Sequence, residues 1–448
     1  MDRQLNMTKG HPGSLLFRFA LPLMFGNVFQ QLYTVVDTAI VGQGVGMEAL
    51  AALGTVDWMN WMFLAICQGF TQGFSVRMSQ KFGEGDGEGL KHTIGLSALL
   101  STYIAIASLA VAQFGLPLFL QLLRVPGDLL GYAGTYSRII LAGIPAMMFY
   151  NYCASVLRSI GDSKTPLISM IIASLANIVL DCIAVFALDW GIGGAAIATV
   201  LAQCLAGLVC MIKMLRSPQL CFGKRHLAKD PALVKALMAL GAPLAAQFII
   251  IAVGGMAVQS VVNRFPTSFI AGYTATNKLY GILEIAAVSY GYAVTTYTGQ
   301  NFGAMLWDRI RKGVNWGVVL SVLTSMVISA VMIIFGRDIT MIFIDTEIPQ
   351  LAIDAGNVAY RYLCAMSLAL PLLYLLHVYR AALQGVGNAK IPLWSGIVEF
   401  FIRVGASIWV GITLWQDGIF VGEVSAWIGA AILLAAAYYR LAAKLGKK

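Results

Sequence analysis

The sequence predicts an all-α polytopic membrane protein of twelve transmembrane helices arranged as two parallel six-helix repeats. Three observations lead there. Hydrophobic residues make up 59% of the 448-residue chain and charged residues 11%, against roughly 25% charged side chains in a soluble domain. Apolar runs of about 20 residues, the length that crosses a hydrocarbon core as helix, follow one another with little between them; barrel strands would be half as long and alternate in polarity. Finally, the segment Leu157–Leu167 (LRSIGDSKTPL) recurs as Leu383–Leu393 (LQGVGNAKIPL). Weaker echoes keep the same order: Gln80–Gly83 with Gln300–Gly303, Pro22 with Pro243, and Ala49–Gly54 with Ile270–Ala275.

Reading between charge clusters and Gly/Pro breaks places the helices near 14–43, 50–79, 91–117, 128–158, 165–189 and 192–215, then 232–263, 267–300, 308–335, 349–384, 392–414 and 418–443. Six spans per half is an even number, so each half begins and ends on one side and the repeats are parallel, related by an axis along the membrane normal. The expected domains are an N-lobe over 1–216, a cytoplasmic linker over 217–231 marked by Ser217-Pro218 and Asp230-Pro231, and a C-lobe over 232–448. The repeated segments carry helix breakers beside a lysine and read as tight cytoplasmic turns between the fourth and fifth and the tenth and eleventh spans. Pro22, Pro145 and Pro243 each remove a helical N–H and are candidate kinks.

The formal charge of +9 is distributed as the positive-inside rule requires. With a cytoplasmic N-terminus, alternate loops carry Arg77, Lys81 and Lys91, then Arg158 and Lys164, the basic stretch Lys213 to Lys235, then Arg309, Arg311 and Lys312, and finally Arg380 and Lys390. The tails add Arg3, Lys9, Arg18, Arg440, Lys444, Lys447 and Lys448, while the other side keeps a scatter such as Arg124, Arg138, Arg264 and Arg337. Basicity here reports orientation and not a nucleic-acid partner. The N-terminal apolar run lacks a small-residue cleavage site and reads as a retained helix. The seven cysteines show no C-x-x-C spacing and read as small apolar filler.

Charges at membrane depth cost about 2.5–3.5 kcal/mol each on insertion scales, so each asks for a reason. Asp37 lies well inside the first span with no adjacent cation, and Asp181 follows Asn177 by four residues, which stacks the two on one helix face. If the first and fifth spans bring the carboxylates together, desolvation and mutual repulsion raise the affinity of the pair for a proton or a bound cation. Asn177 and Thr199 read equally as interhelical hydrogen bonders. In the second copy Asp37 meets Val258, Asp181 meets Ser407 and Thr199 meets Ser425, so the acidic site is absent there. That half carries instead Glu399 and Arg403, four apart and able to pair with each other, and Glu284, which has no local partner and could face a cavity. Aromatic and methionine side chains gather around Trp58–Phe63 and Met147–Tyr152, and such residues make adaptable apolar walls. Gln30, Tyr33, Trp61, Tyr150, Asn151 and Glu284 are the candidates for a substrate cavity.

With these residues on view, the chain resembles the multidrug and toxic compound extrusion family over essentially its whole length, through the two six-helix lobes, the Pro22…Val-Val-Asp37-Thr…Val-Gly42 pattern, Asn177-x-x-x-Asp181, and Thr199 after Gly-Gly-Ala-Ala-Ile-Ala. The resemblance is greatest to the damage-inducible (DinF-like) branch. It implies a cation site for a proton or Na+ at Asp37, Asn177, Asp181 and Thr199, with Tyr136 in the same polar network and a helix-bending role for Pro22. The acidic pair of the sodium-coupled NorM-like branch is not found in the second half.

The function implied is secondary efflux of organic, cationic or amphipathic compounds in exchange for H+ or Na+ by alternating access. The alternative is a lipid-linked saccharide flippase of the same wider superfamily. The expected setting is the inner membrane of a prokaryote with both termini cytoplasmic, a monomer among membrane lipid, with small organic substrates, no nucleic acid and no cofactor beyond the coupling ion. An enzyme is not expected: the four histidines are scattered and there is no H-E-x-x-H or G-x-S-x-G.

Overall fold

The computed structural model describes residues 5–123, 125–341, 344 and 349–445; Arg3, Arg124, Lys447 and Lys448 lie outside them. The described chain is helical, with no strand. The first half holds α1 (Pro12–Gly44), α2 (Met47–Glu84), α3 (Gly87–Leu122), α4 (Leu130–Ala142), α5 (Ile144–Ser159), α6 (Lys164–Cys182) and α7 (Gly191–Leu215). The second holds α8 (Pro231–Val262), α9 (Thr267–Gly303), α10 (Trp307–Met341), α11 (Pro349–Gly385), α12 (Lys390–Thr413) and α13 (Gly418–Leu445).

Among the described residues thirteen α-helices stand where twelve spans were expected, because 128–158 is broken. Gly143 interrupts it, Pro145 opens the next helix, and α4 meets α5 at a 44° bend. Pro145 therefore marks a break, whereas α1 and α8 run unbroken through Pro22 and Pro243. Among the described residues ten helices are long and apolar enough to cross a membrane, and the bent pair makes an eleventh. The expected span at 267–300 is helical as α9 but too polar to meet that test, since it carries Lys278, Glu284 and a run of buried hydroxyls and amides near its end.

The outer surface carries the expected apolar character. Phe114 is 87% exposed, and Leu118, Leu175, Leu323 and Ile334 also point outward; water would penalise such a surface, whereas lipid does not. The repeated segment forms the expected turns. Gly161 and Gly387 adopt φ of +87° and +88°, a region open to glycine without steric cost. The next residue then caps the following helix: Asp162 Oδ1 accepts from the Lys164 and Thr165 N–H groups at 3.1 and 3.0 Å, and Asn388 Oδ1 accepts from Ile391 N–H at 3.3 Å. A short polar side chain beside a glycine is thus what the duplication preserved.

The helices divide into two compact units. One comprises 1–7, 21–249 and 303–305; the other comprises 8–20, 250–302 and 306–448. The segment 217–231 and the first part of α8 fall in the first of these units. Small residues explain this. A Cβ on Gly69 would lie 2.5 Å from Ala245 Cα, and one on Gly73 would lie 2.6 Å from Gly241 N; α2 and α8 therefore meet at backbone contact, as small residues permit inside a membrane. Leu237 then joins a core with Phe74, Met78, Ile94, Val156 and Leu157.

In the second unit the core is an aromatic stack. Tyr273 lies on Tyr362 with centroids 5.2 Å apart and planes within 6°, and Tyr362 lies on Phe420 at 4.5 Å. Beside it runs a buried charge network that joins α11, α12 and α13. Arg380 pairs with Glu399, and Arg403 Nε lies 3.0 Å from Glu423 Oε2. Arg403 approaches Glu399 only to 3.9 Å, so the expected local pair is the weakest contact of the set. Arg380, assigned from sequence to a loop, lies buried within α11.

Candidate functional site

Asp37 is placed by the face of α1 that it shares with Ile40 and Val41. Those residues pack with Ala49, Val185, Ile192 and Ala195, and Tyr132 and Tyr136 of α4 close the cluster. Close approach depends on two glycines. Gly44 ends α1 directly against Val185 and Phe186, and a Cβ on Gly194 of α7 would sit 2.9 Å from Ala184 Cβ. Both contacts fall on Ile183–Ala187, where α6 continues as a π-helical turn immediately after Asp181 and Cys182. Such a turn rotates the side chains that follow it and is frequent at functional sites.

Asp37, Asn177 and Asp181 are all buried, and Thr199 is half-buried. The carboxyl groups of Asp37 and Asp181 come within hydrogen-bonding range of each other, and the Asn177 side chain faces Asp181. Two ionised carboxylates have no proton to share, so neither can satisfy the other. Among the described residues Asp37 Oδ1, both Asp181 oxygens, Asn177 Oδ1 and Thr199 Oγ1 are buried with no hydrogen-bond donor at bonding geometry, and Asn177 Nδ2 likewise has no acceptor. Most buried polar side-chain atoms in proteins are paired, so this concentration on three helices is the strongest departure in the first unit. The oxygens are of the hard type that suits a proton or a hard cation. Among the described residues no three His, Cys, Asp or Glu side chains gather as a metal cluster; the donor set here is two carboxylates, an amide and a hydroxyl.

The other expected residues divide. Tyr136 is half-buried and lies within electrostatic reach of both carboxylates. Tyr33 lies one helical turn from Asp37 and hydrogen-bonds Gln30 and Gln203, so Gln30 and Tyr33 adjoin the site. Trp61 packs edge-to-face on Trp58, centroids 5.9 Å apart. Tyr150 packs against Ala173, Ala202 and Ala206. Asn151 is buried, and its amide donates to Met147 O of its own helix at 2.9 Å, which makes it a packing residue. Glu284 belongs to the second unit. It has a partner after all: His377 Nε2 of α11 lies 3.3 Å from Glu284 Oε1, and the Glu284 side chain stays 32% exposed.

Three residues were missed. Gln203 of α7 reaches Tyr33, and Asn60 of α2 donates to Ser137 Oγ at 3.5 Å while its own Oδ1 is unpaired. Asp57 of α2 interacts electrostatically with Tyr136. It carried the same signal as Asp37, a carboxylate inside an apolar span with no neighbouring cation.

Comparison with known proteins gives the family. The MatE family profile matches residues 22–183 and 243–409, one match in each half of the duplication. The chain is 26% identical to the probable multidrug resistance protein YoeA of Bacillus subtilis, covering 94% of this chain and 92% of that one. It is 29% identical to YpnP of the same organism, a second probable multidrug resistance protein, over 93% and 92%. A match to the DNA damage-inducible protein F of Escherichia coli is 24% identical and covers 75% of this chain and 74% of that one. A solved structure described as MATE in complex with MaL6 superposes with a TM-score of 0.91 over 100% of both chains at 23% identity, which shows a shared fold. An all-helical chain rich in apolar spans, and a family profile that matches both halves of the duplication, make this chain a member of the multidrug and toxic compound extrusion family, a membrane transporter and not an enzyme.

Proposed function

We propose that the protein is a secondary multidrug efflux antiporter, coupled by a proton or Na+ bound at Asp37, Asn177, Asp181 and Thr199, with Tyr136 lining the site. The observation that carries this is the set of buried, unpartnered oxygens on α1, α6 and α7. Two carboxylates in a low-dielectric site repel each other, and one proton or one monovalent cation between them relieves that repulsion. Binding also ties α1 to α6 and α7. A helix whose position depends on ion occupancy is the element that alternating access requires. Pro22, which removes one backbone hydrogen bond from α1, lowers the cost of bending that helix.

Gln30 and Tyr33, one to two turns from Asp37, place substrate contacts on the same helix as the ion site, so the two ligands compete through α1. The substrates in this reading are organic, cationic or amphipathic compounds; the Bacillus relatives are named as probable multidrug resistance proteins. The working setting is the inner membrane of a prokaryote with both termini cytoplasmic, a monomer needing no cofactor beyond the coupling ion. Entry of one charge supplies about 2.3 kcal/mol per 100 mV, which sustains a substrate gradient of roughly fiftyfold at about 1.4 kcal/mol per decade.

The test is efflux of a cationic dye by purified protein in liposomes, with a pH gradient and a sodium gradient imposed separately. Uphill efflux should follow one of the two gradients and vanish in Asp37→Asn and Asp181→Asn, while both variants still insert. Undiminished uphill efflux by either variant refutes the coupling role.

A further inference from the structure

The second copy has a cleft where the first has its acidic site. It lies within the second unit between α8 and α12, has a volume of about 330 Å³, and is lined at helical spacing by Val261 and Arg264 on one side and Ser407, Ile408, Gly411 and Ile412 on the other. Ser407 occupies the register of Asp181, and Val258, on the α8 segment that lines the cleft, occupies that of Asp37. The duplication has therefore kept the position and changed its chemistry, from carboxylates to hydroxyls, apolar walls and one arginine.

Three features identify the occupant. Arg264 follows the last turn of α8 and is exposed. Its guanidinium has neither an acidic partner nor a hydrogen bond among the described residues, and it is one of the few cations on the side opposite the basic loops. An unpaired guanidinium presents a planar set of donors that fits the oxygens of a phosphate. The wall next to it is apolar and open: Ile408 is 58% and Ile412 76% exposed, the surface an acyl chain covers. Gly411 deepens the floor, since its Cβ position lies 3.9 Å from the nearest atom, on Val261. A free anion would use the arginine and leave the isoleucines bare, whereas an amphiphile uses both.

We propose that the α8–α12 cleft seats an anionic phospholipid, with its phosphate on Arg264 and an acyl chain along Ile408 and Ile412. The site is separate from the ion site and does not depend on the coupling mechanism.

The experiment is native mass spectrometry of the full-length protein released from vesicles of equal phosphatidylglycerol and phosphatidylcholine. Phosphatidylglycerol should be retained preferentially, and Arg264→Gln should cut its retention about tenfold, the size of a lost charge-assisted contact. Arg337→Gln, on the same side of the membrane, should leave retention unchanged. Ile412→Ser, at a position 76% exposed, shortens the apolar wall without adding a charge that Arg264 could pair with and should weaken retention. Equal retention of the two lipids, or unchanged retention in Arg264→Gln, overturns the proposal. Retention of added dodecyl phosphate by a protein that retains no phosphatidylglycerol also overturns it, in favour of a free amphiphilic anion.

Discussion

Removing Glu423 is expected to destabilise the second unit far more than removing an exposed acid. Arg403 is buried and has two acidic neighbours, Glu423 at 3.0 Å and Glu399 at 3.9 Å, the second already engaged by Arg380. In Glu423→Ala the guanidinium keeps only the longer, shared contact. Breaking a buried ion pair by deleting one partner costs about 3–5 kcal/mol. The residual Glu399 contact argues for the low end, about 3 kcal/mol. For units of 150–250 residues each kcal/mol moves the midpoint by about 2–4 °C, so the fall is about 6–12 °C. The assay is thermal unfolding in detergent under fixed lipid and salt. The double variant Arg403→Met/Glu423→Met removes both charges and fills similar volume, and it should lie within about 1–2 kcal/mol of the native protein on either side. A single variant that unfolds at the native midpoint, or a double variant as unstable as the single, refutes the account of Arg403 as a stranded charge.

Other expectations follow from the same contacts. Gly73→Ala places a methyl group against Gly241 and forces α2 from α8, an overpacking cost of about 1–3 kcal/mol measurable as a lower unfolding midpoint; Gly54→Ala, with nothing within 4 Å, should leave the midpoint unchanged or raise it. Glu88, at the exposed start of α3, is held below the ordinary glutamate range by hydrogen bonds from His226 and then Lys91, with the charges of Arg225 and Lys91 adding. A depressed folded-state value contributes stability that is present above the ordinary value and lost as pH falls through the lowered one. The midpoint difference between the native chain and Glu88→Gln should therefore be full near pH 6 and close below about pH 4. Gln203→Leu removes a hydrogen-bond partner from Tyr33 and should weaken dye efflux in liposomes while leaving insertion intact.

Much of the architecture was written locally. Hydropathy and the Gly/Pro breaks located the helices to within about six residues apart from the break at Gly143 that splits 128–158, and the repeated Gly-Asp and Gly-Asn segments marked two turns, because chain reversal in a membrane needs a breaker and a cap that lie next to each other in sequence. Asp37 and Asp181 were also visible one at a time, since a carboxylate in an apolar span has no local excuse. Asp57 was equally visible and was passed over.

Partnerships were not legible. Glu399 and Arg403 fit the i,i+4 rule, yet Glu399 meets Arg380 on α11 and Arg403 meets Glu423 on α13. Glu284 looked solitary until α11 brought His377 to it. Which side chains meet between helices depends on how each helix is rotated and how closely it approaches, and both are set by distant glycines such as Gly44, Gly194 and Gly241. The sequence by itself therefore determined the spans, the duplication and the identity of the charged residues. The tertiary structure alone decided that Asp37 and Asp181 face each other, because that juxtaposition is a property of packed helices and of no single segment.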